Sequence, residues 1–161
     1  MKTYKYLGLY IHSTKSWTSA KSDITTRASR AICILIANLK RFWPMPIPIL
    51  VRLFDTKIVP ILTYGAELRG LSGVDDIEKI ADNFYRRLLG LRKTASSTFV
   101  RGELGRRSIL RNIFVKVVSF WTKLVPSPVS KSTFKCYQYQ LYLSHTNRPC
   151  WATDVKKFRL W

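Results

Sequence analysis

A mainly α fold is predicted, with about five to six amphipathic helices following a short N-terminal β-strand or hairpin. Three observations predict it. Apolar residues recur at three- and four-residue intervals through several long stretches, which puts them on one face of a helix. Alternation of the strand type is confined to Tyr4–Ile11. Prolines and glycines fall mostly between the periodic stretches, where they delimit helices. The chain has 161 residues, 47% hydrophobic and 13% aromatic, so it can bury a core, and one domain over 1–161 is expected.

The elements follow in order. Tyr4–Ile11 is rich in aromatic and β-branched residues and carries Gly8 at its middle, which suits a strand or one arm of a hairpin. From Ser22 to Arg41 the stripe Ile24, Ala28, Ala31, Ile32, Leu35, Leu39 marks a helix, with Lys21, Arg27, Arg30, Lys40 and Arg41 off the stripe or at its ends. At 1.5 Å per residue such a rod is roughly 30 Å long, enough to lie along a duplex. Cys33 falls within the apolar pattern and reads as packing.

Phe42–Pro48, FWPMPIP, cannot continue that helix, because Pro44, Pro46 and Pro48 remove amide donors and clash with the preceding turn. Pro46 or Pro48 can open the next helix, whose buried face is Leu53, Phe54, Ile58, Ile61 and Leu62. Pro60 should kink it, and Gly65 and Gly70 should punctuate its end. Ser72–Asp76 then forms a turn into a third helix. Asp75 can cap its first amides and Glu78 can complete a capping box; the rival use of Asp75, Asp76 and Glu78 is a magnesium site, the less favoured reading. Ile77, Ile80, Ala81, Phe84, Leu88 and Leu91 are its expected buried positions, with Gly90 as terminator.

Arg92–Arg107 is the most polar and basic linker. Its serines, Thr98 and the amides around Gly102 and Gly105 could hydrogen-bond phosphate, or it could be a connector with incidental charge. Ser108–Val125 returns to helical spacing with Leu110, Ile113, Phe114, Val117, Trp121 and Leu124, and Pro126 and Pro128 end it. The tail, 126–161, interleaves Phe134, Tyr137, Tyr139, Tyr142, Trp151, Phe158 and Trp161 with basic residues. That pattern suits either stacking on single strands or short helices folded on a core.

Lys and Arg total 28 against 9 Asp and Glu, giving +19 at pH 7. Such a charge on a chain rich in apolar residues points to a polyanion, nucleic acid first and anionic membrane second. No apolar run approaches the roughly 20 residues of a transmembrane helix. The opening MKTYKYLGLYIHS lacks the apolar core of a signal peptide, so an intracellular address, nuclear or cytoplasmic and not secreted, is expected. Cys33, Cys136 and Cys150, odd in number and widely spaced, suit reduced thiols, and no zinc-type spacing occurs. Neither a Ser/His/Asp nor an HExxH arrangement offers hydrolytic chemistry.

The string LFDTKIVPILTYGAELRG from Leu53 to Gly70 resembles the Phe-Asp…Pro-Ile-Leu-x-Tyr-Gly-x-Glu-x-x-Gly run of reverse transcriptases from non-LTR (LINE-type) retrotransposons. The matching residues are Phe54, Asp55, Pro60, Tyr64, Gly65, Glu67 and Gly70. Tyr6-Leu7-Gly8 resembles the family's primer-grip Tyr-Leu-Gly, FYRRLLGL from Phe84 resembles its next helix, and Gly102, Glu103 and Gly105 match its Gly-Glu-x-Gly segment. One departure is Arg69, which stands where the family has a core Trp.

The resemblance implies a primer-grip β element over 1–12, thumb-like helices over 20–70, connecting helices over 71–125 and the tail beyond. It implies partners in an RNA or RNA/DNA duplex backbone and in the palm of a parent RNA-directed DNA polymerase. Arg27, Arg30, Arg92, Lys93, Arg101, Arg106 and Arg107 are the expected backbone contacts. The family's two catalytic metals sit on palm aspartates, including a Tyr-x-Asp-Asp turn expected upstream of Tyr6, and this sequence contains no such turn. The chain alone is therefore expected to be non-catalytic and without a cofactor, magnesium entering only with an intact palm. Two rivals stand beside this reading: a peripheral protein on anionic membranes, and an inert retroelement remnant whose unpaired strand edge promotes aggregation.

Overall fold

The computed structural model describes residues 3–12, 17–39, 45–69, 74–124, 132–146 and 152–153. These are mainly helical, with one antiparallel two-stranded hairpin at the N-terminus, as the sequence pattern predicts. Main-chain contacts group the chain into two compact units, Met1–Tyr64 with Gly73–Ile109, and Gly65–Ser72 with Leu110–Trp161.

In the first unit, β1 (Thr3–Tyr6) pairs with β2 (Leu9–His12), Tyr6 opposite Leu9 and Thr3 opposite His12. Gly8 is thus a turn residue and not the middle of a strand. Leu7 at φ 46° and Gly8 at φ 82° both take the left-handed backbone that two-residue hairpin turns use to match strand twist. A two-stranded hairpin is marginal alone. This one is held at its turn, where the Tyr64 hydroxyl donates to the Leu7 carbonyl and Arg27 donates to the Gly8 carbonyl at 3.1 Å. Leu9 is buried, whereas every residue of β1 is exposed.

Helix α1 (Thr18–Leu39) packs on β2 and buries Ala20, Ile24, Ala28 and Ile32; Ala31 and Leu35 are only half-buried. Helix α2 (Ile47–Lys57) opens with Pro46 as its N-cap and Pro48 in its first turn, where missing amide hydrogens go unneeded. The helix is interrupted where Pro60 is expected to kink it, with Ile58 still in right-handed helical backbone. Ile58 sits between α2 and the short α3 (Val59–Leu62), and Pro60 lies in the first turn of α3.

Helix α5 (Val74–Leu88) packs on α1 and on α6 (Ser97–Glu103). It buries Ile77, Ala81 and Phe84 as the stripe predicts, while Ile80 and Leu88 are half-buried and Leu91 lies exposed beyond it. Phe54 has no exposed surface; its ring stacks on Phe84 at 4.5 Å and lies 5.2 Å from Tyr85. Burying one such ring contributes about 1.5–3 kcal/mol, and a favourable aromatic pair about 0.5–1.5 kcal/mol more.

Arg92–Arg107 contains a helix, correcting the linker reading. Gly90 and Gly105, at φ 65° and 60°, end α5 and α6 in the same way. Leu91 N–H reaches the Arg86 carbonyl at 2.8 Å and Arg106 N–H reaches the Arg101 carbonyl at 2.7 Å, the six-to-one bond of a Schellman motif.

The second unit holds α4 (Ala66–Arg69), α7 (Ile109–Leu124, from Leu110 onward) and α8 (Ser132–His145). Ile113, Val117 and Leu124 are buried on α7, and Tyr137 and Leu143 on α8. Leu110 is exposed, and Phe114 and Trp121 are half-buried. Trp121 Nε1 donates to the Tyr137 hydroxyl at 3.2 Å, which joins α7 to α8. Arg69 is 2% exposed, so it occupies a core position. Burial pushes its pKa down, partly offset by nearby Glu67. Gly70, Ser72, Pro126, Pro128, Cys150, Trp151, Phe158 and Trp161 lie outside the described residues.

Candidate nucleic-acid interface

Helix α1 carries two stripes. Besides the buried one, Thr18, Ser22, Thr25, Ser29 and Cys33 recur at three- and four-residue spacing, which sets them on a second face rotated from the first. This face lines a groove of about 970 Å³, with Lys21, Thr26, Arg30 and Ile34 from α1 and Asp76 and Ile80 from α5. A smaller hollow of about 280 Å³ shares Ser29, Cys33 and Ile80 and adds Arg86, Arg87 and Lys93. A third, of about 630 Å³, shares Thr18, Ser22, Thr26 and Arg30 and reaches Thr3 and Tyr10 of the hairpin. The three adjoin along a helix whose 22 residues span about 33 Å.

The hydroxyls and cations among the lining residues can hydrogen-bond and neutralise phosphate oxygens without reading a base. The Thr25 and Thr26 hydroxyls donate to the Ser22 carbonyl at 2.9 and 2.8 Å, so a phosphate would meet them after a rotamer change. Two acids also border the trough. Asp76 pairs with Lys79 at 3.3 Å and Asp23 pairs with Arg27, each within one turn of its own helix. Cys33 is exposed here, correcting its reading as a packing residue.

The seven cations predicted from sequence divide. Arg30, Arg92, Lys93 and Arg107 are exposed. Arg27, Arg101 and Arg106 are committed inside the first unit. Arg101 grips the Asp82 carboxylate in a fork, Nε to Oδ1 at 2.7 Å and an Nη to Oδ2 at 2.8 Å, and lies 3.3 Å from Glu78. Burial alone would push Asp82 up, but hydrogen bonds from Arg101 and Ser97 and the charges of Arg101 and Arg86 hold it below the ordinary aspartate value. The Asp82 hydrogen bond, against the opposing effect of burial, holds Arg101 above its ordinary value. Arg106 bonds Asp55, and Arg27 bonds Asp23 and the Gly8 carbonyl.

Glu78 accepts the Ser108 hydroxyl and attracts Arg101, so it serves a tertiary contact in place of the expected capping box. The amides expected to meet phosphate around Gly102 and Gly105 are used by α6. Leu104 N–H bonds the Val100 carbonyl and Gly105 N–H that of Gly102. Ser97 takes an Arg86 hydrogen bond at 2.6 Å.

Four of the motif residues, Gly8, Phe54, Asp55 and Tyr64, sit in contacts within the first unit. Tyr64 meets the Leu7–Gly8 turn, Phe54 stacks on Phe84, and Asp55 holds Arg106, which follows the Gly102-Glu103-Leu104-Gly105 segment. Sequence reasoning missed Lys21, Arg87 and the hydroxyl face of α1. The signal was present in the spacing of Thr18, Ser22, Thr25 and Ser29, which an apolar-only periodicity overlooks.

Among the described residues, no group of three or more His, Cys, Asp or Glu could hold a metal ion, and no helix is long and apolar enough to cross a membrane. Comparison with protein-family models, curated proteins and solved structures finds no match.

Proposed function

We propose that this chain is a non-catalytic part of a non-LTR reverse transcriptase, its thumb and connecting region, and that it grips the sugar-phosphate backbone of an RNA or RNA/DNA duplex. The observation that carries the reading is the trough along α1, lined by the hydroxyls of Thr18, Ser22, Thr25 and Ser29 together with half-buried Lys21 and exposed Arg30, Arg87 and Lys93. The assembly of the motif segments around Tyr64 and Asp55 supports the family, and the fully exposed β1 strand suits a hairpin that packs on a palm. Arg92 and Arg107 extend the basic surface; Arg27, Arg101 and Arg106 act as its scaffold. Magnesium and nucleotide chemistry belong to the joined palm.

The test is binding of a fluorescein-labelled RNA/DNA hybrid across a salt series. Six phosphate contacts give a log–log slope of about −5 and a loss of roughly 10³ in affinity between 50 and 200 mM salt. A flat salt response, or binding to anionic vesicles that a hybrid duplex does not compete away, would sink the reading in favour of a membrane-surface protein.

A further inference from the structure

Helix α8 places aromatic residues on more than one side. Tyr137 is 6% exposed and fixed by Trp121, with Phe134 beside it at 6.4 Å, and Leu143 is buried as well. Tyr139 and Tyr142 instead stand 57% and 63% exposed. Their rings lie 6.5 Å apart with planes only 27° from parallel. Lys135 precedes Tyr139 by four residues and so shares its face, and Ser132–His145 contains no acid. Packing within the unit is served by Tyr137 and Leu143, which leaves the outer pair without a part in the core.

We infer that Tyr139 and Tyr142 form a stacking platform for unpaired bases of a single-stranded nucleic acid, with Lys135 meeting the adjoining phosphate. Two near-parallel exposed rings present flat π-faces on which successive bases can stack, and every base has such a face, so the site is sequence-tolerant. Charge complementarity selects the occupant: an acid-free helix on a chain of net charge +19 favours a polyanion over an apolar or basic protein surface. The site differs from the α1 trough in residues and in ligand, since a duplex keeps its bases stacked on one another and offers this platform only its backbone. It would hold a strand that is not paired, such as template ahead of a duplex or a displaced strand.

The experiment compares oligouridylate twelve nucleotides long with a blunt RNA/DNA hybrid, using the full chain. Tyr139→Ala with Tyr142→Ala should weaken oligouridylate binding by at least tenfold and change hybrid binding by less than twofold, while Tyr139→Phe with Tyr142→Phe should bind both like the original chain. Should the alanine variant fail to fold by circular dichroism, 4-thiouridine crosslinking on the unaltered protein decides. Adducts on the α8 peptide carrying Tyr139 and Tyr142 support the platform; adducts only elsewhere overturn it. Undiminished oligouridylate binding by the alanine variant, equal loss for both ligands, loss by the phenylalanine variant, or protection of the tyrosines by anionic vesicles but not by oligouridylate would each overturn it too. Loss of hybrid binding in Lys21 and Arg30 variants bears on the trough alone, so the two readings fail separately.

Discussion

The α5–α6 junction and the α1 trough spend the same residue type in opposite ways. At the junction, Arg101 is forked onto Asp82 and close to Glu78, and Arg106 holds Asp55 across a gap of many residues in sequence. Along the trough, Arg30 and Lys93 stand exposed with hydroxyls for neighbours. A guanidinium already neutralised by a carboxylate that is buried, as Asp82 is, or half-buried, as Asp55 is, gains little on meeting phosphate, because the competing ion pair must first break. Net charge alone therefore overstates the surface available to a polyanion: 9 acids subtract from 28 bases, and those at the junction also fix which bases can reach outward.

Breaking the junction should give the largest effect. Arg101→Ala leaves the carboxylate of Asp82 without its main partner, with Ser97 and Arg86 remaining, and is expected to cost about 2–3 kcal/mol of stability in urea unfolding, whereas Arg30→Ala should stay within about 0.5 kcal/mol. Equal costs would erase the distinction between the two regions. Conversely, Lys21→Ala with Arg30→Ala should leave stability intact and flatten the salt slope of hybrid binding by about 2, one unit for each lost phosphate contact. An unchanged slope would remove the trough from the interface.

Arg69 sharpens the comparison from a third side, as a buried arginine on the short helix α4. Arg69→Met, which keeps the length and removes the guanidinium with the interactions it makes, including the attraction of Glu67, is expected to destabilise the chain by about 1–3 kcal/mol, read from the urea midpoint. Unchanged or raised stability would mean that burial of the guanidinium costs as much as its interactions contribute.

The acid limb of stability should carry the smallest signal. Asp82 is held below its unfolded value, so its contribution is complete above the unfolded aspartate pKa near about 3.9 and is lost as pH falls through the lower folded value. Asp82→Asn should lower stability at pH 7 and make the decline below pH 4 shallower. A decline as steep as in the original chain would place the acid sensitivity elsewhere.

Periodicity of the apolar residues, proline placement and glycine punctuation determined the helical class, the position of most helices and much of the core. Ile24, Ala28, Phe54, Ile58, Ile77 and Ile113 are buried where the spacing put them. These signals are local, since a backbone hydrogen bond or a helix face involves residues only a few positions apart. What the tertiary structure decided was the use of charged and aromatic side chains. Arg101 and Asp82 are nineteen positions apart and Arg106 and Asp55 fifty-one, and no local pattern pairs them. Tyr137 and Tyr139 are chemically identical and two residues apart, yet one is buried against α7 and the other faces solvent. Their difference comes from which face of α8 a neighbouring helix covers, a property that belongs to the packed chain and to no single stretch of it.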